Sequence, residues 1–239
     1  MVVVFDEPFF DSVIARMGGR RLQEVATPPP DSRHADYLLE GFVVELKILK
    51  LDPLASEQHQ KSVAAHLEKA KIAGHIVTVR DGQEFNIVDQ GSQKLWHILA
   101  KPVMRALRDA EEQVIASQKF LNGQWKGGVI LVNAGAVSLS DPNSFFRLIS
   151  DYHQRLSHVK VILAFNTIPT QDSEGRLATA NATISYDETD ELLGRRFEEA
   201  IQDEIFARTG FRGKASALDT KAQGGQVKFR NTTQGLRKI

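Results

Sequence analysis

Two apolar runs, 128–133 and 159–165, flank a segment that opens with Asp141-Pro142 and reads as a helix to about Leu156. Nothing else in the sequence constrains the fold so tightly. A strand that is apolar throughout is buried on both faces, and two such strands joined by a helix pair in parallel through a crossover. The chain therefore reads as α/β, with buried parallel strands inside a sheet. At 239 residues it has room for one decorated α/β domain or for two small domains.

Upstream of those runs the signals are local. Pro8, behind the acids Asp6 and Glu7, suits the first turn of a helix over 8–17 that stops at Gly18-Gly19. Residues 22–27 read as a short strand closed by Pro28-Pro29-Pro30. Residues 34–39 and 42–50 read as two strands joined at Glu40-Gly41. A helix over 56–73 follows, then a hairpin over 75–80 and 84–88 split at Asp81-Gly82. Residues 102–121 make an amphipathic helix on a stripe of Val103, Leu107, Ala110, Val114 and Leu121, ended by Asn122-Gly123. A last helix is expected over 187–208, with Gly210 as its stop. The sheet is mixed: an antiparallel hairpin first, buried parallel strands later.

Composition narrows the chemistry. The chain has no cysteine, which excludes disulfides, thiolate zinc sites and a cysteine nucleophile. No apolar run approaches the roughly 18 residues that span a bilayer. Asp6 and Glu7 directly behind Met1-Val-Val-Val-Phe5 argue against a secretory signal, so a cytoplasmic protein without a membrane partner is expected. The net charge is zero, but it is unevenly placed. Eight acids between Asp187 and Glu204 stand against Arg195 and Arg196; from Arg208 onward eight bases stand against Asp219. An acidic helix followed by a basic tail over 211–239 reads either as an interaction arm or as a solvated face and a frayed terminus.

The residues that carry chemistry lie in the first hairpin. With a two-residue turn at Glu40-Gly41, Leu39 faces Phe42, Leu38 faces Val43, and Asp36 faces Glu45. Side chains opposed in this way lie about 4.5–5.5 Å apart at Cβ. Strand alternation puts Lys47 on the same face, among Leu38, Val43 and Leu49. Two carboxylates opposed in an apolar surround repel each other and are costly to desolvate, and a divalent cation removes both penalties. Oxygen ligands without cysteine or a histidine cluster favour Mg²⁺ or Mn²⁺. Such an ion activates a bound water and binds phosphate oxygens, and Lys47 can stabilise the charge building on phosphorus. Glutamate resists positive φ, however, so a three-residue loop with Gly41 left-handed is an open alternative that shifts the pairing by one.

Asp36, a short turn, then Glu45-Leu46-Lys47 resembles the PD-(D/E)XK, or restriction-endonuclease-like, nuclease superfamily, whose core is αβββαβ. The likeness covers roughly 1–50 and 102–166, with 51–101 as an insertion, so that 1–210 makes one nuclease-like domain. Ala35 stands where the family usually has proline. The resemblance implies a Mg²⁺- or Mn²⁺-dependent nuclease that cuts nucleic acid, with DNA favoured over RNA but the choice left open, as is a homodimer. It also implies a metal-side glutamate on the first helix, with Glu7 as candidate and Asp11 and Glu24 as rivals. A glutamine on the helix after the ExK strand would be Gln113. The alternative for Glu7 is that it complements the helix dipole.

Other polar and aromatic residues have plainer readings. His34 is a hairpin-entry residue that could touch phosphate. His59 and His66 read as solvated, and Trp96 and Trp125 as packing residues rather than base-stacking platforms. Ser138 and Ser140 lack histidine and aspartate partners in sequence context. Two readings compete with an active nuclease: a nuclease-fold module that binds nucleic acid or a protein without cutting, and a surface ion cluster of Asp36, Glu45 and Lys47.

Overall fold

The computed structural model describes residues 3–30, 32–52, 57–58, 60–61, 93–122, 124–168, 178–185, 187, 190–221 and 228–238. Helix α1 (Glu7–Arg16) starts as its sequence demands: the Asp6 carboxylate accepts the Phe9 amide and Pro8 occupies the first turn. Strand β1 (Arg20–Arg21) leads directly into a helical turn, α2 (Leu22–Val25). This corrects the strand expected over 22–27. The Leu22 amide donates to the Asp36 carbonyl, and the Ala26 amide then turns back to the Leu22 carbonyl. Leu22 is buried whereas Val25 is 52% exposed, so the run lacks the repeated inward face that a longer strand requires.

The hairpin is formed by β2 (Tyr37–Leu39) and β3 (Phe42–Leu49). Helix α3 (Gln93–Phe120) begins well before Pro102, where its first turn was expected, and carries that proline inside. An interior proline costs about 3 kcal/mol. Leu99 and Ala100, in the turn ahead of it, are buried in the core and offset that cost. Strand β4 (Lys126–Asn133), helix α4 (Pro142–His153) and strand β5 (Val159–Ile168) form the expected unit, with β4 and β5 parallel. Asp141 caps α4 by accepting the Ser144 amide. Strand β6 (Ala178–Ser185) then pairs antiparallel with β5, and helix α5 (Asp190–Thr209) ends at Gly210, whose φ is 71°.

The main sheet has the order β1-β2-β3-β4-β5-β6, parallel between β3, β4 and β5 and antiparallel elsewhere. Helices α1 and α5 cover one face, where Phe10, Phe197 and Ile201 meet Val44, Ile130 and Leu163. Helices α3 and α4 cover the other, where Leu107, Phe145 and Ile149 meet Val129, Leu131 and Ile162. Within the basic segment 211–239, β7 (Phe211–Lys221) and β8 (Lys228–Lys238) form a two-stranded antiparallel ribbon, and β8 lies against β6. Most of the helix expected over 56–73, the hairpin over 75–88, and His59 and His66 lie outside the described residues. Among the described residues no helix is long and apolar enough to cross a membrane.

Candidate active site

The turn between β2 and β3 sets the register. Glu40 and Gly41 both take positive φ, 48° and 82°, and Leu39 pairs with Phe42. This is the two-residue turn whose twist matches a hairpin; the three-residue alternative does not occur. Glu40 carries the cost of its left-handed backbone while its carboxylate pairs with Arg196 of α5.

Pairing continues through Leu38–Val43 and Tyr37–Val44, and then β2 leaves the ladder. A regular antiparallel ladder would next join Ala35 and Leu46 through their backbones. Instead the Leu46 amide donates to Asp36 Oδ2 at 2.9 Å, and the Asp36 amide donates to the Val44 carbonyl. The chain ahead of Asp36 turns toward α3, where the Ala35 amide donates to the buried Ser117 hydroxyl at 2.8 Å. One turn earlier on the same helix, Gln113 Nε2 donates to the His34 carbonyl at 3.0 Å. Asp36 thus lies one step past the paired ladder, with its carboxylate beside that of Glu45. It sits at a fork, held by β3 on one side and α3 on the other.

Glu45 and Lys47 project from β3 toward α3, as strand alternation requires. Lys47 Nζ donates to Glu45 Oε1 and to Gln113 Oε1, each at 2.5 Å. An ammonium only donates and a carbonyl only accepts, so these partners fix which way the Gln113 amide points. Glu45 is buried, and its second oxygen, Oε2, has no hydrogen-bond partner among the described residues. Burial, then the neighbouring Asp36 charge, push the Glu45 carboxyl up to about 8 against the opposing pull of Lys47. The burial of Glu45 rules out a solvated surface ion cluster.

A hard divalent cation fits these residues. Two carboxylates adjoin, Glu45 Oε2 has no hydrogen-bond partner among the described residues, and burial beside Asp36 disfavours the Glu45 charge unless a cation offsets it. Among the described residues no group of three acids or histidines gathers anywhere. Mg²⁺ tolerates so small a protein ligand set because it keeps several waters.

The structure does not bring Glu7 to this site. Glu7 is exposed and lies 3.5 Å from Arg21, on the α1 side of the sheet. Asp11 is committed to Arg21 at 2.8 Å and to the Tyr37 hydroxyl at 2.8 Å, and Glu24 is exposed on α2. The physical reason is the pleat: Tyr37 and its α1 partners occupy the face opposite Glu45 and Lys47. His34 contributes its carbonyl, while its ring nitrogen Nδ1 contacts the Ser32 carbonyl. Trp125 packs with Leu22, Leu38 and Val43, and Trp96 lies in the first turns of α3. Ser138 bonds Asp52, and the Ser140 carbonyl accepts from Asn166; neither has a histidine partner among these bonds. Ser117 escaped sequence reasoning. Its position four residues after Gln113, on the same helix face, is the signal that could have found it.

No family model, no curated protein and no solved structure matches the chain.

Proposed function

We propose that this chain is a metal-dependent nuclease of the PD-(D/E)XK class, hydrolysing phosphodiester bonds of nucleic acid, DNA in the first place. The observation that carries the proposal is Glu45: a buried carboxylate beside Asp36, one oxygen uncommitted, with Lys47 pinned next to it by Gln113. The order α1, β1, α2, β2, β3, α3, β4 supports it, following the αβββαβ succession of that class except for the single helical turn α2 between the first two strands. So does the parallel pairing of β3 with β4.

Asp36 and Glu45 would hold Mg²⁺ or Mn²⁺, which supplies a bound water of lowered pKa and a counter-charge to phosphate. The chain's own residues do the remainder. Gln113 and Glu45 use two of the three Lys47 donors, and the third can meet a phosphate oxygen as charge builds on it. The fork at Asp36, fixed by Leu46, Ser117 and Gln113, sets its carboxylate before substrate arrives, so little reorganisation is needed in the transition state.

The test is incubation of the purified chain with Mg²⁺ or Mn²⁺ and mixed DNA and RNA, with EDTA as control. Lys47→Ala should cut the rate by about 10²–10³-fold while calorimetric Mn²⁺ binding persists, because its charge acts on the transition state rather than on the metal. Asp36→Ala should abolish both. Wild-type cleavage that survives EDTA, or Lys47→Ala cutting at the wild-type rate, rules the mechanism out. Absence of cleavage with every metal and substrate would leave a nuclease-fold binding module.

A further inference from the structure

Helix α3 divides its surface into arcs, each with its own partners. At about 100° per residue, Val103, Leu107, Ala110 and Val114 form the buried arc against the sheet. Gln113 and Ser117 lie on one flank of that arc, toward Lys47 and Ala35. Glu111 lies on the other flank, where its carboxylate accepts the Ser157 and His158 amides at 2.7 and 2.8 Å. The crest between the flanks belongs to Lys101, Arg105 and Arg108, all exposed. Spacings of four and then three residues stack them in one stripe.

Little on the protein relieves this stripe. Like charges at i,i+4 and i,i+3 destabilise a helix, and Lys101–Arg105 and Arg105–Arg108 stand at those spacings. Among the described residues the Lys101 and Arg108 side chains make no ion pair or hydrogen bond. Arg105, its side chain 80% exposed, has only Asp109 at 3.9 Å. The helix dipole does not account for the stripe either. It favours bases in the last turn, and these three lie in the middle of a 28-residue helix.

A row of phosphates would relieve the repulsion, and the dimensions suit one. From Lys101 to Arg108 the helix rises about 10 Å. Successive phosphates of one strand are about 3.4 Å apart along a duplex axis, so the stripe spans about three of them. It also runs beside the candidate active site. Asp109, which holds Arg105, is one turn from Gln113, which holds Lys47. Arg108 precedes Gln113 by about 8 Å of helix, and the exposed Glu112 closes the stripe at that level.

We infer that the Lys101–Arg105–Arg108 stripe of α3 is a nucleic-acid docking ridge that carries the phosphate backbone of a duplex alongside the Asp36–Glu45 site. The choice of partner rests on the nuclease reading, whereas docking does not require cleavage. Recognition is independent of base sequence, because phosphate is what the stripe meets.

The experiment measures binding of the full chain to a fluorescent mixed-sequence 20-base-pair duplex, in EDTA, across a fourfold range of salt. Each phosphate contact contributes a slope of about −0.9 in log affinity against log salt. Neutralising the stripe (K101Q, R105Q, R108Q) should lower the slope's magnitude by about 2–3 and weaken binding at low salt. Over that salt range the variant should then lose roughly 40-fold less affinity than the wild type. The charge-retaining variant (K101R, R105K, R108K) should keep the wild-type slope, which separates lost charge from disturbed packing. Neutralising three exposed bases on and after α4 (R147Q, R155Q, K160Q) should leave the slope unchanged. An unaltered slope in the neutralised stripe overturns the inference. So does an equal fall in the α4 control, which would mean net charge alone, and so does binding to phosphatidylserine vesicles with none to the duplex. Because no catalysis enters, an inactive chain that binds with the expected slope would refute the nuclease reading and leave the ridge standing. An active chain whose slope ignores the stripe would do the reverse.

Discussion

Glu45 shows how far a single residue can be read from physics. Strand alternation places it beside Lys47, and burial decides its charge. Its carboxyl is raised from 4.5 to about 8 in the folded chain, by desolvation first and by Asp36 second. A folded-state pKa above the unfolded one means that the native protein binds the extra proton. In the absence of metal, its contribution to stability is therefore fully present below about 4.5 and is lost progressively as pH rises through about 8. The loss is on the order of a few kcal/mol. Glu45→Gln, which cannot ionise, should lack it, so the stability gap between variant and wild type should widen in the variant's favour across that window. Urea midpoints at several pH values in EDTA measure this; parallel profiles would refute it. On the proposed metal-dependent reading, Mn²⁺ affinity of the wild type should rise over the same window, because metal and proton would compete for one oxygen.

At the scale of an element, α3 is the organiser of the site. Gln113 and Ser117 lie one turn apart on one face, and between them they hold the Lys47 ammonium, the His34 carbonyl and the Ala35 amide. Gln113 was expected only through the resemblance, which implies a glutamine on this helix; its place beside the sheet-facing Ala110 and Val114 suits that position. Ser117 was not expected, because its partner is a backbone amide 82 residues away, freed only when β2 leaves the ladder. Ser117→Ala orphans that buried amide and should destabilise the chain by about 1–3 kcal/mol. It should also weaken Mn²⁺ binding, since the residue before Asp36 loses its anchor on α3. Ser117→Thr keeps the hydroxyl and should restore Mn²⁺ affinity even where packing costs some stability. Calorimetry beside urea melts separates the two effects; loss of stability with Mn²⁺ affinity intact would make Ser117 a purely structural residue.

At the scale of the molecule, the first and last helices of the main body are tied by Glu204. Its buried carboxylate accepts from Arg16 of α1 at 3.0 Å and from Arg208 of its own helix at 2.7 Å. Arg208 also stands over the Phe9 ring, 5.0 Å from its centre. Burial raises the Glu204 carboxyl, but the hydrogen bonds from Arg208 and Arg16 outweigh it and hold it below the usual carboxylate range. The sign is opposite to that of Glu45: this stabilisation is present above about 4.5 and is lost as pH falls through the lowered folded value. Both arginines are partly exposed, so Glu204→Gln should cost about 1–2 kcal/mol near neutrality, less than a fully buried pair. The deficit should vanish in acid. A deficit that persists at low pH would mean that Glu204 acts through shape rather than charge.

Features under local chemical control could be read from residue order alone. The caps at Asp6 and Asp141, the stop at Gly210, the buried runs that became β4 and β5, and the Glu45–Lys47 face all follow from period, capping and turn geometry. Strand β6 could have been seen as well: Ala180, Ala182 and Ile184 alternate with Asn181 and Thr183, but alanine is too weakly apolar for the pattern to stand out. Tertiary structure decided the rest. It ended the run after Leu22 as a helical turn, carried α3 back through Pro102, and sent Glu7 to Arg21 rather than to the site. It also peeled Asp36 off the ladder. Each of these outcomes depends on a partner distant in sequence, whose burial or hydrogen bond outweighs a local preference of only a few kcal/mol at most. A one-dimensional pattern carries no record of such partners.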